Sequence, residues 1–198
     1  MKSSIENIVK NSEIENQTIH GQFFNKTDLS SKMFSECEFI NCDFNEVDFS
    51  NGRISECKFL ESKITLASLK TCKLHEVSFS ACKLMGIDFS VCDPLLFSVK
   101  FDHCTIENSS FSQMKLMGTE FAKSIVRECS FADADLTSAS FKECDLTRTV
   151  FNSTILDKAD FSRASNYQID IRSNRLNKAK FTLPEAIALL EMLDIEIE

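Results

Sequence analysis

Four glycines and two prolines in 198 residues leave no material for long flexible linkers, and no low-complexity tract interrupts the chain. There is no CxxC pair, and the GxSxG, GxxxxGKS/T and HExxH signatures are missing. These gaps argue against a paired-cysteine metal site, a hydrolase elbow, a phosphate loop and a zincin. No apolar run approaches the ~18 residues that a membrane-spanning helix requires. The opening MKSSIENIVKNSE has no apolar stretch of the kind that marks a secretion signal, so the expected compartment is the cytoplasm, away from membranes.

What the chain does have is a period of five. From Val9 through Ile14, Ile19 and Phe24 to Phe89, 17 successive positions at five-residue spacing are apolar. Pro94 would come next. The phase then slips by two residues, and a second series runs from Leu96 and Phe101 to Phe181 with only Asn166 breaking it. Sixteen of the 18 phenylalanines occupy these positions, the exceptions being Phe23 and Phe97. A period of five fits neither the 3.6 of a helix nor the 2.0 of a strand, so the unit is an internal repeat.

The residue two before each centre gives a second rule. All nine cysteines (Cys37, Cys42, Cys57, Cys72, Cys82, Cys92, Cys104, Cys129 and Cys144) sit in that slot, which elsewhere often holds Ala, Ser, Thr or Val. The slot therefore reads as small and inward, and the cysteines as buried hydrophobes in a reducing compartment. The residues after the centre are mostly polar, as a solvated wall requires. His20, His75 and His103 fall on outward slots far apart, with no nucleophile or orienting acid paired to them. A convex wall of this kind offers no deep pocket in which to tune a carboxylate. No enzyme, cofactor or metal site is expected.

Segments such as ADLTS (134–138), ASFKE (139–143), CDLTR (144–148) and ADFSR (159–163) resemble the pentapeptide-repeat family, whose pattern is roughly A(D/N)LXX. The resemblance covers about nine-tenths of the chain. It implies an all-β solenoid, a right-handed quadrilateral β-helix in which four pentapeptides make one square coil. At ~4.8 Å per coil, 8 to 9 coils would make a rod about 40 Å long. Centres 20 residues apart should then stack. Phe39, Phe59 and Phe79 do so in sequence, and Phe101, Phe121, Phe141, Phe161 and Phe181 continue the series if one step is 22. On this reading the opposite face runs from Leu29 and Phe49 to Phe151 and Ile171. The slip is a two-residue insertion near 92–97, where Leu95 and Phe97 are candidate contacts. Phe97 either projects or tucks into a locally widened coil.

The last 17 residues change character. Thr182-Leu183-Pro184-Glu185 reads as a capping box, with Thr182 as N-cap and Glu185 at N3, opening an α-helix through about Leu193. Every residue from Ala186 to Leu193 except Glu191 is apolar, more than a one-sided cap needs. A second copy is the simplest cover for the remainder. Ile195-Glu196-Ile197-Glu198 alternates as a strand would and would pair across a two-fold axis. Ile187, Leu190, Met192, Leu193, Ile195 and Ile197 are the expected dimer contacts. The expected organisation is a cap or disordered arm over 1–13, one β-helix over 14–181, and a capping and dimerising helix with a short strand over 182–198.

This tail is similar to the C-termini of the quinolone-resistance pentapeptide-repeat proteins, the Qnr and MfpA-like group. The resemblance implies a rod that mimics duplex DNA and binds DNA gyrase or topoisomerase IV, with no direct contact to nucleic acid. The net charge is −8, and residues 182–198 hold five acids and no base, leaving −3 for the rest. A mimic must present carboxylates where phosphates would be read. The candidates are Asp28, Asp48, Asp88, Asp133 and Asp170 on the wall of Leu29 and Phe49, with Glu191, Asp194 and Glu196 in the tail. The alternative reading is an interaction scaffold for another protein, and the chain lacks the projecting loops that several of the family's resistance proteins carry.

Overall fold

A backbone that turns a square corner every five residues needs a left-handed residue at each corner, and the chain supplies one with great regularity. Positive φ values between 49° and 63° recur at residues such as Asn16, Glu36, Asn41, Glu46, Glu56 and Glu61, two after each centre. Few of them are glycines, although left-handed backbone disfavours a Cβ. The compensation comes from the next coil, whose carbonyls accept most of the corner N–H groups: Glu36 donates to Ser55 at 3.1 Å and Glu56 to His75 at 2.9 Å. The computed structural model describes residues 5–190 together with 193 and 195. Glu191, Met192, Asp194, Glu196 and Ile197, all singled out in the sequence, lie outside the described residues.

The described chain is the right-handed quadrilateral β-helix that the register implies. Wall A is centred on Ile14, Phe34, Ile54 and Leu74 and, beyond the insertion, on Leu116 to Leu176. Wall B runs from Ile19 to Phe181, wall C from Phe24 to Leu146 and wall D from Leu29 to Phe151. Parallel ladders join successive coils at a step of 20, as in Phe34↔Ile54, Phe39↔Phe59 and Phe44↔Ile64. Wall B carries the long ring stack, with centroids 4.8 Å apart for Phe39–Phe59, 5.0 Å for Phe59–Phe79 and 4.9 Å for Phe121–Phe141. Wall D has a second stack, Phe89–Phe111–Phe131–Phe151, and the two stacks meet edge to face. Stacked and T-shaped rings at these separations lie within the range at which aromatic pairs attract.

All nine cysteines are buried in the small inward slot. The slot has a polar function as well as a size. Its side chain donates to the carbonyl of the central residue 23 positions earlier: Cys37 Sγ to Ile14 O at 3.4 Å, Ser62 Oγ to Phe39 O at 3.2 Å and Thr149 Oγ1 to Val126 O at 2.7 Å. Cysteine, serine and threonine therefore interchange there, with alanine as the apolar alternative.

The chain departs from a strict five-residue count in three places and from the expected cap in a fourth. First, Val9 does not open the solenoid: Ile5–Lys10 is an α-helix in which Ile8 is buried and Val9 exposed. Lys32 Nζ ties this helix down by donating to the carbonyls of Val9 and Asn11, both at 2.7 Å. Second, the step across the insertion is 22, as in Phe79↔Phe101 and Leu84↔Ile106. Leu96 is not a centre there. It sits at φ 61° and points out with Leu95, while Phe97 is partly buried, edge-on to Phe89 at 6.5 Å.

Third, Phe151 stacks on Ile169, 18 residues on, and not on Ile171. Asn166 is exposed at a left-handed corner and Tyr167 fills the interior in its place. The two residues lost there are regained by the Asp170–Asn174 turn, because Ile155 again bridges to Arg175 at a step of 20. Fourth, the terminal cap is a 3-10 helix, Glu185–Leu189, and not an α-helix. The capping box does not form: Thr182 Oγ1 accepts the corner N–H of Arg163 at 2.8 Å, replacing the carbonyl that a further coil would have offered. Ala188 and Leu189 pack on the core from this end.

Candidate functional site: the walls and ends of the rod

The interior is filled with side chains, so chemistry available to a partner lies on the walls, the corners and the ends. Burial pushes the Cys72, Cys129 and Cys144 thiols up to about 12, and it raises Cys42 as well. These sulfurs remain thiols at neutral pH and are poor nucleophiles. Among the described residues, no group of three His, Cys, Asp or Glu is placed to hold a metal ion. No described helix is long and apolar enough to cross a membrane.

Three of the five candidate wall acids fall in one column. Asp28 bridges to Asp48, Asp48 to Ser68, and Asp88 continues the line to Ser110 and Ser130 along wall D. Each carboxylate also accepts the backbone N–H two residues on, from Ser30 at 2.9 Å, Ser50 at 2.8 Å and Ser90 at 3.0 Å. These Asx turns fix where the charge sits, and the Ser30 hydrogen bonds, with a smaller pull from Lys32, hold the Asp28 carboxyl below its usual range. The other two acids are not part of this column. Asp133 occupies a corner at φ 58°. Asp170 follows Ile169 into the turn and is gripped by Arg172 through its N–H and guanidinium.

Of the expected dimer contacts, Ile187, Leu190, Leu193 and Ile195 are exposed at the C-terminal end, joined by Leu183. At the insertion Leu95 and Leu96 expose 65% and 67% of their surface, and Met117 on the next coil of wall A exposes 62%. This makes a small apolar spot half-way along the rod, where the sequence pointed to Leu95 and Phe97.

Two features escaped the sequence reading because charges were counted by wall and not by corner. The corner between walls A and B carries Glu36, Glu56 and Glu76 on successive coils, all left-handed with φ of 53° to 54°. Beyond the insertion the same corner carries Gly118, Ser138, Lys158 and Lys178. Lys142, Lys158, Lys178 and Lys180 line a shallow depression around Asp160 on wall B. Burial alone would raise the Asp160 carboxyl, but hydrogen bonds from Ser162 and the charges of Lys142 and Lys180 hold it down. Reading the sequence from position 36 at a stride of 20, with a step of 22 across the insertion, would have exposed this column.

The description "Pentapeptide repeat region" matches residues 32–111 and 104–181. Among solved structures, a trypsin-treated variant of QnrB1, a plasmid-mediated fluoroquinolone resistance protein, is similar with a TM-score of 0.62 and 15% identity, covering 94% of this chain and all of that one. HetL, a pentapeptide repeat protein involved in heterocyst differentiation regulation in the cyanobacterium Nostoc, is similar with a TM-score of 0.54 and 16% identity over 85% of this chain and 86% of its own. No curated protein sequence matches the chain. At such identities the likeness is one of fold.

Proposed function

The chain belongs to the pentapeptide-repeat family, and from that premise we propose that it is a non-enzymatic rod that binds a protein partner, acting as a DNA mimic toward a type II topoisomerase. On this reading it occupies the duplex-binding surface of DNA gyrase or topoisomerase IV and modulates the enzyme or shields it from fluoroquinolones. The observation that supports it is the wall D column, where Asp28, Asp48 and Asp88 align on one straight ladder with their carboxylates fixed by Asx turns. The coil spacing of ~4.8 Å is longer than the ~3.4 Å of helix axis per phosphate on one strand of a duplex. Mimicry would therefore rest on the sign and alignment of charge, not on a copied pitch.

The same proposal includes a homodimer joined through the C-terminal end, where Ile187, Leu190, Leu193 and Ile195 leave an apolar surface uncovered. At about 0.5 M salt, where charge-driven contacts are screened, Leu190→Lys should then yield monomers by light scattering while the β-type circular dichroism persists. A mutant that remained dimeric would place the interface elsewhere. For the partner, the test is gyrase supercoiling and drug-induced cleavage at rising protein concentration. The wild type should alter one or both, and a combined Asp28→Asn, Asp48→Asn and Asp88→Asn variant should lose the effect. Absence of any effect from the folded wild type on either topoisomerase would sink the reading. A second reading, a scaffold for a different protein, is favoured by the exposed Leu95 and Leu96, which present apolar surface that a DNA mimic has no use for.

A further inference from the structure

Much of the charge on wall B and its two corners is complemented when the wall is read backwards. Number the coils of this wall from Ile19 as one to Phe181 as nine. At the leading corner, Glu36 and Glu56 stand on coils two and three, and Lys178 and Lys158 on coils nine and eight. One column inward, strand and bridge registers stack Glu38, Lys58, Ser78 and Lys100 on coils two to five, then Glu120, Ser140, Asp160 and Lys180 on coils six to nine. At the trailing corner Glu61 stands on coil three and Arg163 on coil eight.

We propose that wall B is an isologous interface on which a second copy of this chain packs antiparallel, with the two-fold axis between the Phe101 and Phe121 coils. That axis sets coil two against coil nine, three against eight, four against seven and five against six. Rotation about an axis lying in the interface keeps each column opposite itself. Glu36 then faces Lys178, and Glu56 faces Lys158. In the next column Glu38 faces Lys180, Lys58 faces Asp160 and Lys100 faces Glu120. Glu61 faces Arg163. Ser78 meets Ser140, Glu76 and Glu143 meet the uncharged Ser138 and Ala81, His103 meets Lys123, and no carboxylate faces a carboxylate.

Register is specified as well as attraction. Sliding one copy by a coil in one direction puts Glu38 opposite Asp160, and in the other puts Lys58 opposite Lys180, so each neighbouring alignment brings like charges together in the central column while the leading corner keeps opposite-sign meetings. Stacked ion pairs within one chain, Lys58–Glu38 at 2.9 Å, Lys100–Glu120 at 2.6 Å and Lys180–Asp160 at 3.8 Å, become halves of alternating quartets. Eight coils at ~4.8 Å and five residues at ~3.3 Å per side give roughly 600 Å² per copy, at the low end of specific interfaces. With few apolar groups on these columns the association is charge-driven, weak and salt-sensitive. Wall D, with Asp28, Asp48 and Asp88, faces outward on both copies, so the arrangement is independent of the topoisomerase reading.

The test uses the full-length chain carrying Leu190→Lys, which removes the terminal apolar contact, and follows sedimentation and small-angle scattering. At about 20 mM salt the protein should dimerise into a particle no longer than one rod, and at about 0.5 M it should be monomeric. Lys158→Glu with Lys178→Glu, or Glu36→Lys with Glu56→Lys, should each weaken self-association about tenfold or more. An equimolar mixture of the two variants should associate at wild-type strength, because both ends of the mixed interface regain opposite charges. Failure of the mixture to recover, no low-salt dimer in the parent, or a dimer of doubled length would each overturn the proposal. Circular dichroism of each variant separates these outcomes from misfolding, which surface changes on an intact core should not cause.

Discussion

The coils before the insertion and those after it share one backbone and differ in almost everything attached to it. Six of the nine cysteines lie in the earlier coils, whereas Ala134, Ala139, Ala159 and Ala164 fill the corresponding slot in the later ones. The A–B corner is acidic in the first set and basic in the second. Yet the stacked rings are alike, 5.0 Å apart at Phe59–Phe79 and 4.9 Å at Phe121–Phe141. The fold thus constrains the centre and the volume of the small slot, and leaves the walls free to carry whatever charge pattern binding requires.

If the two sets really share one core, their largest side chains should cost the same to remove. Phe59→Ala and Phe121→Ala are each expected to destabilise the protein by about 3–5 kcal/mol in denaturant titrations, the range for buried aromatics. Each ring lies in a continuous stack, 3% and 0% exposed respectively. A cheap loss in one set and an expensive loss in the other would show that the rod has a loosely packed half, and the equivalence would fail.

A smaller effect should separate the halves. Four of the five aspartates whose carboxyls are held below the ordinary range, Asp145, Asp157, Asp160 and Asp170, lie in the later coils, and only Asp28 in the earlier ones. Burial by itself would raise Asp145, but hydrogen bonds from Thr147, Asn166 and Arg127 overcome it and bring the carboxyl to about 2. A depressed carboxyl contributes stability that is present above the unfolded value near 4 and disappears as pH falls toward 2. Asp145→Asn should therefore lower the melting temperature at neutral pH, with the gap to wild type closing as pH drops from about 4 to 2. A gap that stayed constant over that window would mean that the carboxylate charge contributes nothing there.

How much of this was legible in the sequence depends on how far each inference leaned on strict counting. The right-handed β-helix, the inward cysteines, the wall B ring stack and the 22-residue step all follow from two facts, a bulky residue every fifth position and a small one two before it. Leu96, Ile171 and Val9 were misplaced because apolar identity matched the count while the backbone did not. A side shortened by two before Gln168 and lengthened by two before Arg175 leaves the end-to-end count unchanged, so arithmetic cannot see it. The capping box at Thr182 failed for a different reason. Its hydroxyl has a competing donor, the Arg163 N–H, which belongs to the previous coil and is remote in sequence. The wall acids were partly legible, since Asp28, Asp48 and Asp88 share a column. The corner charges were not, because their meaning lies in which coils stack and not in which wall they border.

The subtlest test of the contrast sits where the later coils depart from the repeat. Tyr167 replaces a central residue between Phe161 and Phe181, with ring centroids 6.0 Å and 5.5 Å away. Its hydroxyl is buried and has no hydrogen-bond partner among the described residues. Such a group forfeits its hydration without recompense. Tyr167→Phe keeps the ring and deletes the orphan, so stability at neutral pH should be unchanged or raised by up to ~1 kcal/mol. Burial, aided by the nearby Glu185, also pushes this phenol up to about 12. A raised phenol adds stability that is fully present below the unfolded value near 10 and is lost as pH climbs to 12. The wild type should weaken over that alkaline interval more than Tyr167→Phe does, as followed by thermal melts. A phenylalanine variant that was clearly less stable at pH 7 would mean the hydroxyl has a partner, and that the later coils tolerate their missing residues through a bond and not through packing alone.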